Sequence, residues 1–343
     1  MSLYCTFKTI LITTLLFIVF ACDTEKKEEG SRTTGGETNK PKGNANKAEV
    51  DVPDFNADSA YYFIERQVAL GPRVPGTQEH METGNYLIEQ LEGFGARVQV
   101  QSFEAEAYDG TMLPLRNIFA AFYPEKTRRI LLAAHWDTRP FADKDDERER
   151  EPIMGANDGG SGVGVLLEIA RMLQESEPSV GVDIMLFDGE DYGQPQWDTD
   201  YSRKGETYCL GSQYWAENKM PRNYAAYYGI LLDMVGAENA RFGREYYSMQ
   251  YAPTIVDKVW EKARELGYGS FFLQEQAGGI TDDHYFVNQT GIPMIDIIEY
   301  HPQRDFGWYH HTHDDNMDII SRRTLEAVGE TVSHVIWNEE GSK

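Results

Sequence analysis

Cysteine is nearly absent from this chain, with three in 343 residues: Cys5, Cys22 and Cys209. So few cannot build a disulfide framework, and the fold must rest on an apolar core. Positive charge is scarce too. The 32 Lys and Arg stand against 56 Asp and Glu, a formal net charge of −24. That balance argues against nucleic acid as a partner, because binding phosphate requires a basic face. Long apolar runs are also missing. The stretch Ile10 to Ala21 covers about a dozen residues, short of the ~20 that a membrane-crossing helix needs. Internal repeats are lacking. What is there, 41% hydrophobic and 12% aromatic residues, suffices for the core of one large α/β domain or two small ones.

Lys8 followed by that short apolar stretch predicts a secretory signal over 1–21. Val19-Phe-Ala-Cys22 resembles the bacterial lipobox, in which the cysteine at the cut carries lipid; the alternative is plain secretion with cleavage near Ala21. On the lipobox reading the protein is exported and held in the cell envelope, touching the membrane only through a lipid anchor. Residues 22–49 are polar and predict a disordered tether. That leaves 50–343 as the catalytic domain, with Cys209 expected to be a buried structural thiol rather than a nucleophile.

Amphipathic patterns predict helices over 56–70 and 80–91, with Pro72 and Pro75 in the loop between them. Apolar or alternating runs predict strands at 98–103, 117–123, 129–134, 182–187 and 227–232. Helical periods open at Gly159-Gly-Ser-Gly and recur around 212–216, 255–266 and 325–337, and 291–298 continues the alternation. This order predicts a single α/β domain whose mostly parallel central sheet is flanked by helices on both faces. The charge run 142–151 and the stretch 194–208, which carries Trp197, read as surface loops.

Six short clusters punctuate this framework: His135-Trp-Asp137, Asn157-Asp158, Asp188-Gly-Glu190-Asp191, Asp233, Asp282-Asp283-His284 and His310-His311. Three directly follow strand-like runs. Charge at buried strand ends is costly unless compensated, and a shared metal compensates it. Parallel strand ends converge, so distant clusters can build one site. Catalytic zinc takes three protein ligands and keeps one position open, and Asp158, Asp191 and His311 can supply such a set. Any one carboxylate reads as well as an N-cap or a surface charge; six clusters in one chain read better as a site.

With these motifs the sequence from about Val50 onward resembles the glutaminyl-peptide cyclotransferases and their relatives, the zinc aminopeptidases. The carriers are His135-Trp-Asp137, Gly155-Ala-Asn-Asp158, Phe187-Asp-Gly-Glu-Asp191, Leu231 to Ala237, Asp282-Asp-His284 and His311-Thr-His-Asp-Asp315. The resemblance implies one zinc per chain on Asp158, Asp191 and His311, with Asp191 standing where the family usually has Glu. It implies Glu190 as proton shuttle, with Asp233 and Asp282 hydrogen-bonded to each other beside the substrate amide. Trp197 and Phe306 are implied to line the substrate pocket, with His310 where the animal enzymes have Trp and Trp308 nearby as a substitute. The substrates implied are peptides or proteins with N-terminal Gln, cyclised to pyroglutamate with release of ammonia. In the two-zinc aminopeptidases a second metal would use His135, Asp158 and Asp233, all present here. Asp282 favours the cyclase, because peptidases usually carry Ser at that place and a carboxylate there shares a proton with Asp233. The third reading is an inactive peptide-binding envelope protein, which would have no need of Glu190.

Overall fold

Four apolar runs lie side by side as parallel strands at the centre of the molecule, and everything that positions the site follows from where they end. The computed structural model describes residues 51–200, 205–301 and 305–341. The signal, Cys22 and tether readings lie outside the described residues. In chain order the elements are α1 (Ala57–Leu70), α2 (Gln78–Gly93), β1 (Arg97–Glu106), β2 (Met112–Phe122), β3 (Arg129–His135), α3 (Gly160–Glu175), β4 (Gly181–Phe187), α4 (Leu210–Glu217), β5 (Tyr228–Asp233), β6 (Phe242–Arg244), α5 (Tyr246–Tyr251), α6 (Pro253–Glu265), β7 (Phe272–Gln276), α7 (Asp283–Gln289), β8 (Met294–Ile298), β9 (Tyr300–His301), β10 (Asp305–Phe306) and α8 (Arg322–Trp337).

The central sheet runs β1-β2-β4-β3-β5-β8. β4, β3, β5 and β8 are parallel, while β1 pairs antiparallel with β2, and β2 with β4. The sheet is thus mixed, with its parallel part as expected and an antiparallel hairpin at one edge. The physical reason is connection length. Only residues 107–111 join β1 to β2, closed by Ala107 N–H to Thr111 O at 2.8 Å, and so short a link forces antiparallel pairing. The parallel strands are separated by longer, helix-bearing connections.

Alternation sorts the strand side chains into two layers. Ile130, Leu132, Ala134, Ile184, Ile230 and Leu232 join the large core under α1, α3, α6 and α8, while Leu131, Ala133, Met185, Phe187 and Leu231 face Trp215 and Val287 on the other side. α3 is buried along nearly its whole length. Its glycines allow this: a Cβ at Gly162 would stand 2.1 Å from the Leu232 carbonyl oxygen, so helix and strand touch backbone to backbone. Helix starts are capped as the sequence allows, with Asn56 accepting from Ser59 N–H and Thr77 from His80 N–H, each worth about 1 kcal/mol.

Candidate active site

All four parallel strands deliver chemistry at their carboxyl ends. β3 ends in His135, with Asp137 two residues on; β4 is followed by Glu190 and Asp191; β5 ends in Asp233; beyond β8 the chain leads to His310 and His311. Asp158 comes from the turn that opens α3, and Asp282 caps α7. Three non-glycine residues here hold left-handed backbone: Cys209 (φ 59°), Met234 (49°) and His311 (61°). Such conformations cost roughly 1–3 kcal/mol each and persist where the surroundings enforce them.

Asp158 is the hinge between two groups. Its Oδ1 lies 3.1 Å from His135 Nε2, which also reaches Asp233 Oδ1 at 3.2 Å. Its Oδ2 lies 3.9 Å from His311 Nε2, which is 3.2 Å from Asp191 Oδ1. Donor atoms of His135, Asp158 and Asp233 fall within 4.8 Å of one another, as do those of Asp158, His310 and His311. The structure therefore places His311 against both Asp158 and Asp191, with His310 rather than Asp191 completing the close donor group, and separately brings together the possible second-metal residues His135 and Asp233.

Surrounding groups hold these side chains in place. Asp143 sits 3.1 Å from His311 Nδ1, leaving Nε2 as the nitrogen presented to the site. Arg139 grips both oxygens of Asp143 at 2.7 and 2.9 Å and donates to the Asp191 carbonyl at 3.0 Å. Asp137 accepts the backbone N–H groups of Glu190 at 3.0 Å and Asp191 at 3.1 Å, while Asp315 accepts those of Asn157 at 2.7 Å and Asp158 at 3.0 Å. Arg73 ties the Asp158 turn to β3, donating to the carbonyls of Trp136, Met154 and Gly155. A metal fits this donor set. Asp191 Oδ2 is buried with no hydrogen-bond partner, an orphan that a cation would satisfy.

The carboxylates differ in environment. Burial first, then the charges of Asp282, Asp191 and Asp283, push Glu190 well above the usual range, against an opposing pull from His135. Burial, with Asp158 and Asp282 adding, pushes Asp233 up to about 7 although His135 opposes. Asp282 carries an unpartnered oxygen and lies against Asp296, one oxygen of each being within 4.8 Å of the other and of a His284 nitrogen. The resemblance pairs Asp282 with Asp233. In the structure Asp233 is engaged by His135 and Asp282 by Asp296, because β8 runs beside β5 and inserts Asp296 under the site. His284 lies behind this pair, its Nδ1 3.8 Å from Asp296 Oδ2 and its Nε2 3.1 Å from Glu245.

These groups line a pocket of about 290 Å³ whose apolar wall is Met234, Ile280, Ile298, Phe306 and Tyr208. His310 lines it too, stacked between Phe306 and His311 at 4.2 and 3.7 Å, with Lys144 Nζ 2.7 Å from its Nδ1. Trp197 and Trp308 are not among the lining residues. The Trp197 ring packs on Phe141 at 5.1 Å with Arg150 over its face, and Trp308 is 71% exposed. Tyr208, from the same loop as Trp197, takes the aromatic place instead. Sequence reasoning missed Tyr208 and Ile280, whose positions follow from loop paths, and Asp296, whose signal was a lone charge within the apolar strand β8. Arg139 and Asp143 had a signal, an i,i+4 charge pair just after a strand.

Carboxylates and histidines converging at strand ends around an acidic pocket define an α/β protein of zinc aminopeptidase-like fold. The model of peptidase family M28 matches residues 117–336, and the chain belongs to that family. A glutaminyl cyclase from Tannerella forsythia is 54% identical, covering 84% of this chain and 100% of that one with a TM-score of 0.82. A Zn-dependent exopeptidase from Parabacteroides distasonis is 52% identical over the same shares, with a TM-score of 0.83. The glutaminyl-peptide cyclotransferase of Drosophila melanogaster is 26% identical over 312 residues, 83% of this chain and 84% of that protein.

Proposed function

We propose that this protein is a glutaminyl cyclase, converting the N-terminal Gln of peptides and proteins to pyroglutamate with release of ammonia. The observation that carries this reading is the carboxyl of Asp282, buried in the pocket that Glu190 and Asp233 also line, at the place where the peptidases usually carry Ser.

Asp158, Asp191 and His311 would hold the zinc, which when bound supplies a Lewis acid for the γ-carbonyl of Gln. Glu190 takes a proton from the α-amine, whose nitrogen attacks the side-chain carbonyl carbon, Cδ, of the same residue. The bond to the amide nitrogen then breaks, and Glu190 returns the proton so that ammonia leaves. Burial raises this carboxyl above its ordinary range, making it a stronger base than a solvated carboxylate for the first transfer. The apolar wall holds the Gln side chain folded back on its amine, giving the reaction its high effective molarity, and keeps competing water out. Asp282 and Asp233 supply hydrogen bonds to the departing amide.

The aminopeptidase reading keeps one specific support, the compact His135–Asp158–Asp233 group, with Glu190 then activating a water. Ammonia release from a Gln-initiated peptide, with no cleavage of a Leu-initiated chromogenic substrate and about one zinc per chain, is the expected result. Glu190→Gln should abolish ammonia release; retained full activity would sink the mechanism. Cleavage of the Leu substrate with two firmly bound zincs would establish the peptidase, and peptide binding without turnover the inactive binder. We propose as well that the protein is exported and lipid-anchored at Cys22 in the cell envelope, behind a 1–21 signal and a 22–49 tether. Lipid labelling that survives in Cys22→Ser would overturn that.

A further inference from the structure

Cys209 lies directly against Glu190. Its backbone N–H donates to the Glu190 carbonyl at 2.8 Å, the Leu210 N–H donates to the Gly189 carbonyl at 3.0 Å, and its Sγ stands 3.2 Å from Glu190 Oε1. The side chain is fully buried, and the residue holds a left-handed backbone (φ 59°) without being glycine. One oxygen of Glu190, the Cys209 sulfur and one oxygen of Asp282 all fall within 4.8 Å of one another, so the thiol sits between two carboxyl groups of the pocket. Burial, with the charges of Glu190, Asp283 and Asp282, pushes the thiol far up, so it stays a donor.

We propose that Cys209 is a positioning residue for Glu190: its S–H donates to Oε1 and fixes the carboxylate, leaving the other oxygen to exchange the substrate's proton. A thiol suits this task because it is a weak donor. It orients the carboxylate while drawing less on its basicity than a hydroxyl would. The left-handed backbone is consistent with it, since the strain is tolerated where it aims a side chain. The proposal rests on the reading of Glu190 as proton carrier.

The test is steady-state kinetics of ammonia release for Cys209→Ala, Cys209→Ser and Glu190→Gln, alongside thermal unfolding. In Cys209→Ala kcat should fall about ten-fold with KM within two-fold, because orientation is lost while the binding pocket is kept. Cys209→Ser, which keeps a donor, should recover to within about three-fold of the parent. If the alanine variant does not fold, Cys209→Gly, suited to the left-handed backbone, replaces it. Unchanged kcat in the alanine variant beside an inactive Glu190→Gln overturns the positioning role and leaves the proton-carrier reading standing. Equal losses in the alanine and serine variants, or a loss confined to KM, overturn it as well. An active Glu190→Gln overturns the proton-carrier reading itself.

Discussion

Arg139→Met tests the charge balance beneath the site. Arg139 is fully buried; it donates to Asp143 at 2.7 and 2.9 Å and to Asp191 at its carbonyl (3.0 Å) and Oδ1 (3.3 Å). Burial pushes the Asp143 carboxyl up, but His311 and Arg139 outweigh it and hold Asp143 below the usual carboxylate range. Methionine keeps much of the apolar stem and removes the charged guanidinium, which lies over the Phe141 ring at 4.6 Å. Two buried carboxylates then lose their cation, and breaking a buried pair this way costs about 3–5 kcal/mol. At roughly 2–4 °C per kcal/mol for a large domain, Tm should fall by about 6–20 °C. Zinc affinity should also fall, by about 10–100-fold, because Asp143 no longer fixes His311. The double variant Arg139→Met/Asp143→Leu removes both charges of the main pair and should regain much of the stability, while zinc affinity stays low. Denaturant unfolding and zinc competition with a chromogenic chelator read the two effects separately. A single variant within about 1 kcal/mol of the parent, or a double variant no more stable than the single, would refute the reasoning.

Three further outcomes are expected. Gly162→Ala drives a methyl to 2.1 Å from the Leu232 carbonyl oxygen, next to Asp233, and should cost about 1–3 kcal/mol in denaturant unfolding, together with activity. His310 is held well below its ordinary value near 6.5 by burial, with His311, Lys144 and Arg139 adding. Below that pH the unfolded chain therefore binds a proton that the native state refuses, so this residue's contribution to stability falls as pH drops from 6.5. Relative to the parent, His310→Phe should gain about 1 kcal/mol between pH 6.5 and 5.5 in urea titrations; an unchanged difference argues against a neutral His310. Trp308→Ala, at a 71% exposed site, should leave Tm and kcat/KM for a Gln dipeptide within about two-fold or half a kcal/mol, and a ten-fold kinetic loss would restore Trp308 to the pocket wall.

The strands β3, β4 and β5 were legible as unbroken apolar runs, and the helices α1, α3 and α8 because each is long enough for its apolar period to show. α5, α7, β6, β7, β9 and β10 are short and carry polar residues in place of an unbroken apolar run, so they left no such trace. Of the site, the residues standing at strand ends were readable: His135, Glu190, Asp191 and Asp233 follow apolar runs. Asp158 was marked by the glycines after it. Sequence also carried the motif set that points to the family, because the chemistry needs those residue types in those local contexts.

Which carboxylate meets which partner was decided only in three dimensions. Asp282 lies against Asp296, 14 positions later in the chain, because β8 runs beside β5. Asp143 holds His311 across more than 160 residues, and Cys209 reaches Glu190 because α4 begins against the β4 loop. The pocket's aromatic wall fell to Tyr208 and Phe306 rather than Trp197 or Trp308 for the same reason. Local sequence sets residue type and period, whereas the side chain that fills a pocket depends on how loops from separate strands pack, and no local pattern encodes that.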